Sequence, residues 1–348
     1  MLCAYIMAGG SGQRFWPLST PEKPKQLLKI YSDKSMIRET VDRILPIIPA
    51  ERIFIGTNIK QAKSIIEELP MVPEENVVIE PAFKDTAAAI GYGALFIKKR
   101  YSNACMVVLA SDHLIKKEEK FRELLEIAVN EATENKTIVT LGIKPTYPET
   151  GYGYIETIEE AKLDTIYQVE RFWEKPNKEH AEEYINAGNF LWNSGIFVFT
   201  INTIIEEIKR YMPKHNLLLK NIDDIIKQGY IKNELAVRTS IYFEKFQKIS
   251  IDFGVMERSE RVKVIPSDIG WNDIGSFCAL ADIFETDING NVIRNSDTSL
   301  IDSFDNIIIT ESNKVGIIGV NNLVIIQTEG KLLVCDRSRV QDIKSLFQ

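Results

Sequence analysis

The sequence has few cysteines, no apolar run of membrane-spanning length and no excess of positive charge. Its four cysteines, Cys3, Cys105, Cys278 and Cys335, stand far apart, which excludes a dense disulfide framework and argues against a metal site. Cys3 and Cys105 fall inside apolar, strand-like runs, so buried thiols in a reducing compartment are expected. The apolar stretch from Leu2 to Ala8 is too short for a secretory leader and has no basic flank. No run approaches the ~20 residues of a membrane helix. A cytoplasmic location with no membrane partner is the expectation. A formal charge of −7 argues against a nucleic-acid partner, while local cationic clusters can still meet small polyanions.

What the chain does have is length and apolar content. Its 348 residues, 45% hydrophobic, suffice for one large domain and a smaller one. The first apolar run empties into Gly9-Gly10-Ser11-Gly12-Gln13-Arg14-Phe15-Trp16-Pro17. A strand that ends in glycines offers bare backbone N–H groups to a phosphate, because no Cβ blocks the approach; a tight turn is the plainer alternative. A dinucleotide loop would have a third glycine where Phe15 stands, followed at once by a helix. Pro17, Pro21 and Pro24 forbid that helix, and the Gly-Lys-Ser/Thr of a P-loop is absent. What remains is a long extended loop carrying Arg14, Lys23, Lys25 and Lys29, cations suited to a triphosphate.

Strand and helix patterns then alternate. Met36, Ile37, Val41, Ile44 and Leu45 share one helical face, and Arg52 to Gly56 reads as a buried strand. Further helices are expected at Lys60–Leu69, Thr86–Arg100 and Phe121–Glu134, with strands at Val77–Glu80, Ala104–Ala110 and Thr137–Gly142. The pattern predicts an α/β fold: a mainly parallel twisted sheet flanked by helices, with ligands outside the carboxyl ends of the strands. After Gly142 the alternation loosens into an insertion, a strand from about Ile166, a second led in by an Asn193-Ser194-Gly195 turn, and helices near Asn202–Arg210 and Leu217–Gln228. A strand at Val262–Ile265 and a helix at Ile274–Ile283 follow. Beyond Asp287 short alternating runs predict a small C-terminal β domain, β-helix-like and closed by a helix at Arg339–Phe347, serving packing or dimerisation. The expected domains are 1–286 and 287–348, in a homodimer.

Several polar residues fall at the expected sheet rim. Asp112 follows the fourth strand and Asp273 lies in a second glycine-flanked loop; each suits a helix cap, and the two together suit one Mg²⁺ shared with phosphate oxygens. His113 reads as structural. Tyr152 and Tyr154 around Gly153 suit a sugar ring or a strand edge. Glu174 can accept from hydroxyls while Lys175 meets a phosphate, or the two form an ordinary ion pair. The Asn193 amide serves a turn or bridges two hydroxyls.

In this order the motifs resemble those of the mannose-1-phosphate guanylyltransferases of the nucleotidyltransferase superfamily, over nearly the whole chain. The residues that carry the resemblance are Gly9 to Ser19, Pro24-Lys25-Gln26, Ala110-Ser111-Asp112-His113, Phe172-Trp173-Glu174-Lys175-Pro176, Asn193 to Phe197, Ser250 to Glu257, and Gly270 to Ser276. The resemblance implies a Rossmann-like nucleotide-diphospho-sugar transferase fold and transfer of GMP from GTP to α-D-mannose 1-phosphate with Mg²⁺, and the isomerase domain of some relatives is absent from the sequence. It implies catalytic roles for Arg14 and Lys25 and nucleotide contacts from Ala8, Gly9, Gly10, Ser11, Gly12, Thr86 and Ser111. Gly153, Glu174, Lys175, Asn193 and Asp252 would hold the sugar phosphate, and Asp112 and Asp273 the metal. Where the family has Arg-Asn after Glu-Pro and two variable residues, this chain has Lys84-Asp85; Phe277 stands where Trp is common. Guanine presents N1–H and an amino group as adjacent donors, which a carboxylate complements and adenine does not match. Glu80, helped by Asp85, is the expected guanine reader, with helix capping the plainer role for Asp85.

Overall fold

The first apolar run forms strand β1 (Leu2–Met7), and the computed structural model, which describes residues 1–230, 232–295, 297–311, 314–328 and 330–347, builds a sheet around it. The further strands are β2 (Ile53–Asn58), β3 (Val77–Glu80), β4 (Cys105–Ala110), the two-residue β5 (Leu114–Ile115), β6 (Ile138–Ile143), β7 (Gly153–Thr157), β8 (Tyr167–Glu174), β9 (Phe190–Thr200), β10 (Val262–Ser267) and the two-residue β11 (Trp271–Asn272). The helices are α1 (Met36–Ile44), α2 (Ile59–Glu68), α3 (Asp85–Arg100), α4 (Glu118–Asn135), α5 (Lys178–Ala187), α6 (Ile201–Tyr211), α7 (Pro213–Lys227), α8 (Lys232–Phe243) and α9 (Leu280–Ile283). The chain divides into two units. One comprises Met1–Gly9, Thr40–Ser111 and Ile115–Trp271, and the other Gly10–Glu39, Asp112–Leu114 and Asn272–Gln348.

The first unit contains a nine-stranded sheet in the order β3-β2-β1-β4-β9-β6-β10-β8-β7. Strands β3, β2, β1 and β4 run parallel, as the early alternation predicts. The sheet as a whole is mixed, because β9 enters antiparallel between β4 and β6. Cys3 and Tyr5 join one core with α3, α6 and α7, while the alternate residues Ala4 and Ile6 are fully buried and point to the other face. Burial on both faces explains why these strands read as continuous apolar runs. Local signals set the helix starts: the Asn58 side chain accepts from the N–H groups of Lys60 and Gln61, and Thr200 accepts from Thr203.

The second unit stacks β12 (Val292–Arg294), β14 (Ile307–Thr310) and β16 (Leu323–Thr328) in parallel, closed by antiparallel β17 (Lys331–Asp336). A separate parallel pair joins β13 (Asp297–Ile301) and β15 (Lys314–Ile318). The register aligns Val292, Ile307 and Val324, each fully buried. Asn306 donates to Asn291 at 2.9 Å and accepts from the Leu323 N–H at 2.9 Å, so a buried asparagine ladder runs beside the apolar one. The β-helix-like coil is thus real. Its core includes Phe15, Leu28 and Met36 as well as Ile274, Phe277, Val340 and Ile343, so the glycine-loop segment is part of this unit.

Three local expectations are corrected. Asn193-Ser194-Gly195 is an irregularity inside the continuous strand β9, where the register with β6 shifts between Thr140 and Gly142, and not a turn before it. The stretch Ile274–Ile283 is helical only from Phe277, as a 3-10 turn followed by the single turn α9, because Ile274 takes a left-handed φ of 46°. The closing helix is 3-10, over Arg337–Phe347. Helices α5 and α8 were not foreseen; α5 starts on the Asn177 cap and ends at Gly188 with φ 77°. Among the described residues no helix is long and apolar enough to cross a membrane, and all four cysteines are free.

Candidate functional site

The second unit holds a cleft of about 360 Å³ lined by Ser11, Gly12, Arg14, Lys25, Asp112, Asp273 and Lys344, among others. The prolines keep the loop from becoming a helix, and it forms two isolated 3-10 turns, Gln13–Phe15 and Lys25–Leu27. Gly12 sits at φ 62°, and a Cβ there would lie 2.4 Å from Lys25 Cβ, so glycine lets the two turns meet. The Ser19 hydroxyl donates to Gly12 O at 2.7 Å and Gln26 Nε2 to Gly10 O at 3.3 Å, which fixes the loop. At Gly9 and Gly10 a Cβ would meet nothing within 4 Å. Neither is required by packing, and what their missing side chains leave is open approach to the backbone.

Lys25 is the buried centre of this cleft. Its Nζ donates to Asp112 Oδ2 at 2.8 Å and to the main-chain O of Asp273 at 3.0 Å, and it stands over the Phe15 ring at 5.3 Å. Phe15 is held in turn by Phe277, with ring centroids 4.9 Å apart. Burial resists ionisation of Asp112, but the charges of Lys25 and His113 and the Lys25 hydrogen bond outweigh it and bring the carboxyl below its usual range. Asp273 Oδ1 accepts from the Gly275 N–H at 2.9 Å, so this aspartate shapes its own loop and caps no helix. Arg14 is exposed and has no hydrogen bond or ion pair among the described residues.

The same cleft fits a Mg²⁺ ion in chemistry. Mg²⁺ is held by one or two carboxylates, with phosphate oxygens and water completing the octahedron. Asp112, kept ionised, and Asp273 provide two such groups in a single cleft. Among the described residues no group of three or more His, Cys, Asp or Glu side chains is placed to hold a metal ion.

In the first unit, Ala8 and Gly9 follow β1, with Ala8 N–H donating to Gly56 O at 2.7 Å and its O accepting from Thr57 Oγ1 at 3.0 Å. Ser111 is buried and donates its N–H to Met7 O at 3.1 Å. Glu80 ends β3 and accepts from the hydroxyl of Tyr5 at 3.4 Å. Desolvation pushes its carboxyl up to about 7, opposed by the Tyr5 hydrogen bond. Sequence reading missed Tyr5, which gave only the pattern of a core strand residue. Asp85 opens α3 at φ 68° and accepts from the Thr86 N–H at 2.8 Å, while the Thr86 hydroxyl accepts from the Ile251 N–H at 2.8 Å. Asp85 is thus tied to the adjacent main chain, and Thr86 to the main chain of a segment distant in sequence.

Also in the first unit, Gly153, Glu174, Lys175, Asn193 and Asp252 come together. A Cβ on Gly153 would lie 2.7 Å from Glu174 Oε2, so a side chain there would push that carboxylate aside. Glu174 accepts from the exposed ammonium of Lys175. Asn193 donates from Nδ2 to Asp252 Oδ1 at 2.8 Å and accepts from the Gly195 N–H at 3.0 Å. Burial first, and then the Glu174 charge, raise the Asp252 carboxyl to about 6. Glu257 is raised by burial and by the same two neighbours. This set of carboxylates with one amide and one lysine can accept from several hydroxyls and pair with one anion.

Comparison with known proteins gives the family of the chain. Residues 3–290 match the nucleotidyl transferase family, and residues 297–348 the mannose-P isomerase/GMP-like beta-helix domain. Mannose-1-phosphate guanylyltransferase 2 of Escherichia coli O157:H7 is 36% identical over 100% of this chain and 73% of its own length. Mannose-1-phosphate guanylyltransferase of Escherichia coli K12 is 36% identical over 99% of this chain and 72% of its own. A crystal structure described as mannose-1-phosphate geranyltransferase from Thermus thermophilus is 31% identical and superposes with a TM-score of 0.86 over 99% of this chain and 98% of that one. This chain is a nucleotidyltransferase and belongs to the mannose-1-phosphate guanylyltransferase family.

Proposed function

We propose that the protein transfers GMP from GTP to α-D-mannose 1-phosphate, giving GDP-mannose and pyrophosphate. The observation that carries this reading is Lys25, buried and held between Asp112 and Asp273 in a cleft beside the open glycine loop and Arg14. The full-length similarity to named guanylyltransferases supports the choice of substrates.

A phosphate oxygen of the sugar phosphate attacks the α-phosphorus of GTP, a new P–O bond forms, and the bond to the β-phosphate oxygen breaks with pyrophosphate as leaving group. Both partners are anions, so the work of the protein is positioning and charge stabilisation, with no protein nucleophile. Backbone N–H groups of the glycine loop and Arg14 meet the triphosphate, and Lys25 meets the charge that develops at the α-phosphate. Asp112 and Asp273 would hold Mg²⁺, which when bound neutralises phosphate charge. Glu80 accepts from the N1–H and amino group of guanine. Lys175 meets the sugar phosphate, while Glu174, Asn193 and Asp252 accept from or bridge its hydroxyls.

The test is pyrophosphate release over a matrix of GTP, ATP, UTP and dTTP against mannose, glucose and galactose 1-phosphates. Turnover highest with GTP and mannose 1-phosphate is expected. A different best pair would keep the chemistry and replace the substrates, and no turnover with any pair would refute the reading.

A further inference from the structure

Lys344 lines the same cleft as Arg14, Lys25, Asp112 and Asp273, although it lies near the end of the chain in the 3-10 segment Arg337–Phe347. That segment is anchored inside its unit. Val340 and Ile343 are buried, 4% and 3% exposed, in the core that also contains Phe15 and Phe277. The Phe347 ring meets Trp16 of the glycine-loop segment at 5.4 Å between centroids, and Cys278 Sγ contacts Arg337 O at 3.3 Å. Neighbouring charges on the segment are spent locally, Arg339 pairing with Asp342 at 2.8 Å. The Lys344 side chain has no hydrogen bond or ion pair among the described residues.

Charge in the cleft points to its role. Lys25 is matched by Asp112 at 2.8 Å, whereas Arg14 and Lys344 line the cleft without a carboxylate partner among the described residues. Two such cations beside a glycine loop suit phosphate oxygens that carry more charge than an α-phosphate alone. We propose that Lys344 is a phosphate-binding residue that holds the terminal phosphates of the nucleotide, the part that leaves as pyrophosphate, so that the C-terminal segment completes the phosphate cleft. The proposal rests on the nucleotidyl-transfer reading above. As an exposed ammonium on a flexible stem, Lys344 binds through charge, and salt weakens its contribution.

The experiment compares the full chain with Lys344→Ala, Lys344→Glu and Lys344→Arg. Calorimetry reads binding of inorganic pyrophosphate at low and high salt, kinetics read KM for pyrophosphate and for the sugar phosphate, and thermal unfolding reads the fold. Lys344→Ala is expected to weaken pyrophosphate binding about tenfold, with a larger loss for Lys344→Glu and near-complete rescue by Lys344→Arg. The KM for sugar phosphate and the Tm stay unchanged. Pyrophosphate binding equal in all four proteins overturns the proposal, and so does a loss of the same size in Lys344→Arg, since charge would then not be the cause. A wild-type chain that turns over and binds pyrophosphate while the variants match it sinks Lys344 alone. A wild-type chain with neither property sinks the transfer reading as well.

Discussion

Lys25 and Asp112 form an ion pair at 2.8 Å in which the lysine side chain is 8% exposed and the aspartate 30%. The ammonium is therefore nearly dry, and the carboxylate keeps an open edge. A desolvated cation fixed in place stabilises developing charge without reorganising, which favours the transition state over the ground state. Lys25→Ala should lower kcat by about 10²-fold or more with a smaller change in KM. Steady-state kinetics on both substrates check this. A variant altered only in KM would make Lys25 a binding residue.

The open edge of Asp112 leads to the second prediction. Asp112→Asn removes the charge that holds Lys25 as well as one of the two proposed Mg²⁺ ligands, while Asp273→Asn leaves the main-chain O that Lys25 uses untouched. Both should reduce turnover by about 10²-fold, and both should need more Mg²⁺ for half-maximal rate. Only Asp112→Asn should also disturb Lys25. A Mg²⁺ titration of activity at fixed GTP decides it; either variant keeping near wild-type turnover at low Mg²⁺ would remove the shared site.

Glu80 gives a pH signature. Its folded-state carboxyl is raised to about 7 by burial, so the folded chain binds more protons than the unfolded one between the ordinary Glu range and about 7. Stability from this group is full below that window and is lost as pH rises through it. Glu80→Gln should flatten the fall in Tm across this window. Guanine recognition has the opposite sign, because only the ionised carboxylate accepts from both guanine donors. The ratio of kcat/KM for GTP to that for ATP should rise as pH passes about 7, towards about 10⁴-fold, and stay flat in Glu80→Gln. Using the ratio cancels the titration of the triphosphate itself. A ratio independent of pH in wild type would make Glu80 structural. Asp85→Asn serves as the comparison, and with its carboxylate already on the Thr86 N–H it is expected to alter the ratio less than Glu80→Gln.

Gly153→Ala would place a Cβ 2.7 Å from Glu174 Oε2 and displace that carboxylate. The loss should be about 10- to 100-fold in kcat/KM for mannose 1-phosphate, with KM for GTP unchanged. Equal losses for both substrates would take Glu174 out of sugar recognition.

Much of this was legible in the sequence because it is local. The glycine run, the prolines that keep Gln13–Phe15 and Lys25–Leu27 as separate turns, and the period of β1 to β4 all follow from neighbouring residues. The partnership of Tyr5 with Glu80, 75 positions apart, does not, since a tyrosine in an apolar strand reads only as core. Lys344 gave no signal at all, because a lysine near a chain end acquires meaning only when Val340 and Ile343 pin its segment. The Asn193-Ser194-Gly195 stretch misled because turn-forming residues also build irregularities within a strand, and only the pairing of β9 with β6 separates the two.

Direct transfer between GTP and the sugar phosphate leaves no covalent enzyme intermediate. The most direct measurement is incorporation of labelled pyrophosphate into GTP by the wild-type protein, with and without GDP-mannose. Labelled GTP is expected when GDP-mannose is present, and none when the enzyme has only GTP and labelled pyrophosphate. Label entering GTP in that second mixture would show a guanylylated enzyme and contradict direct transfer. No labelled GTP even with GDP-mannose would contradict the substrate assignment.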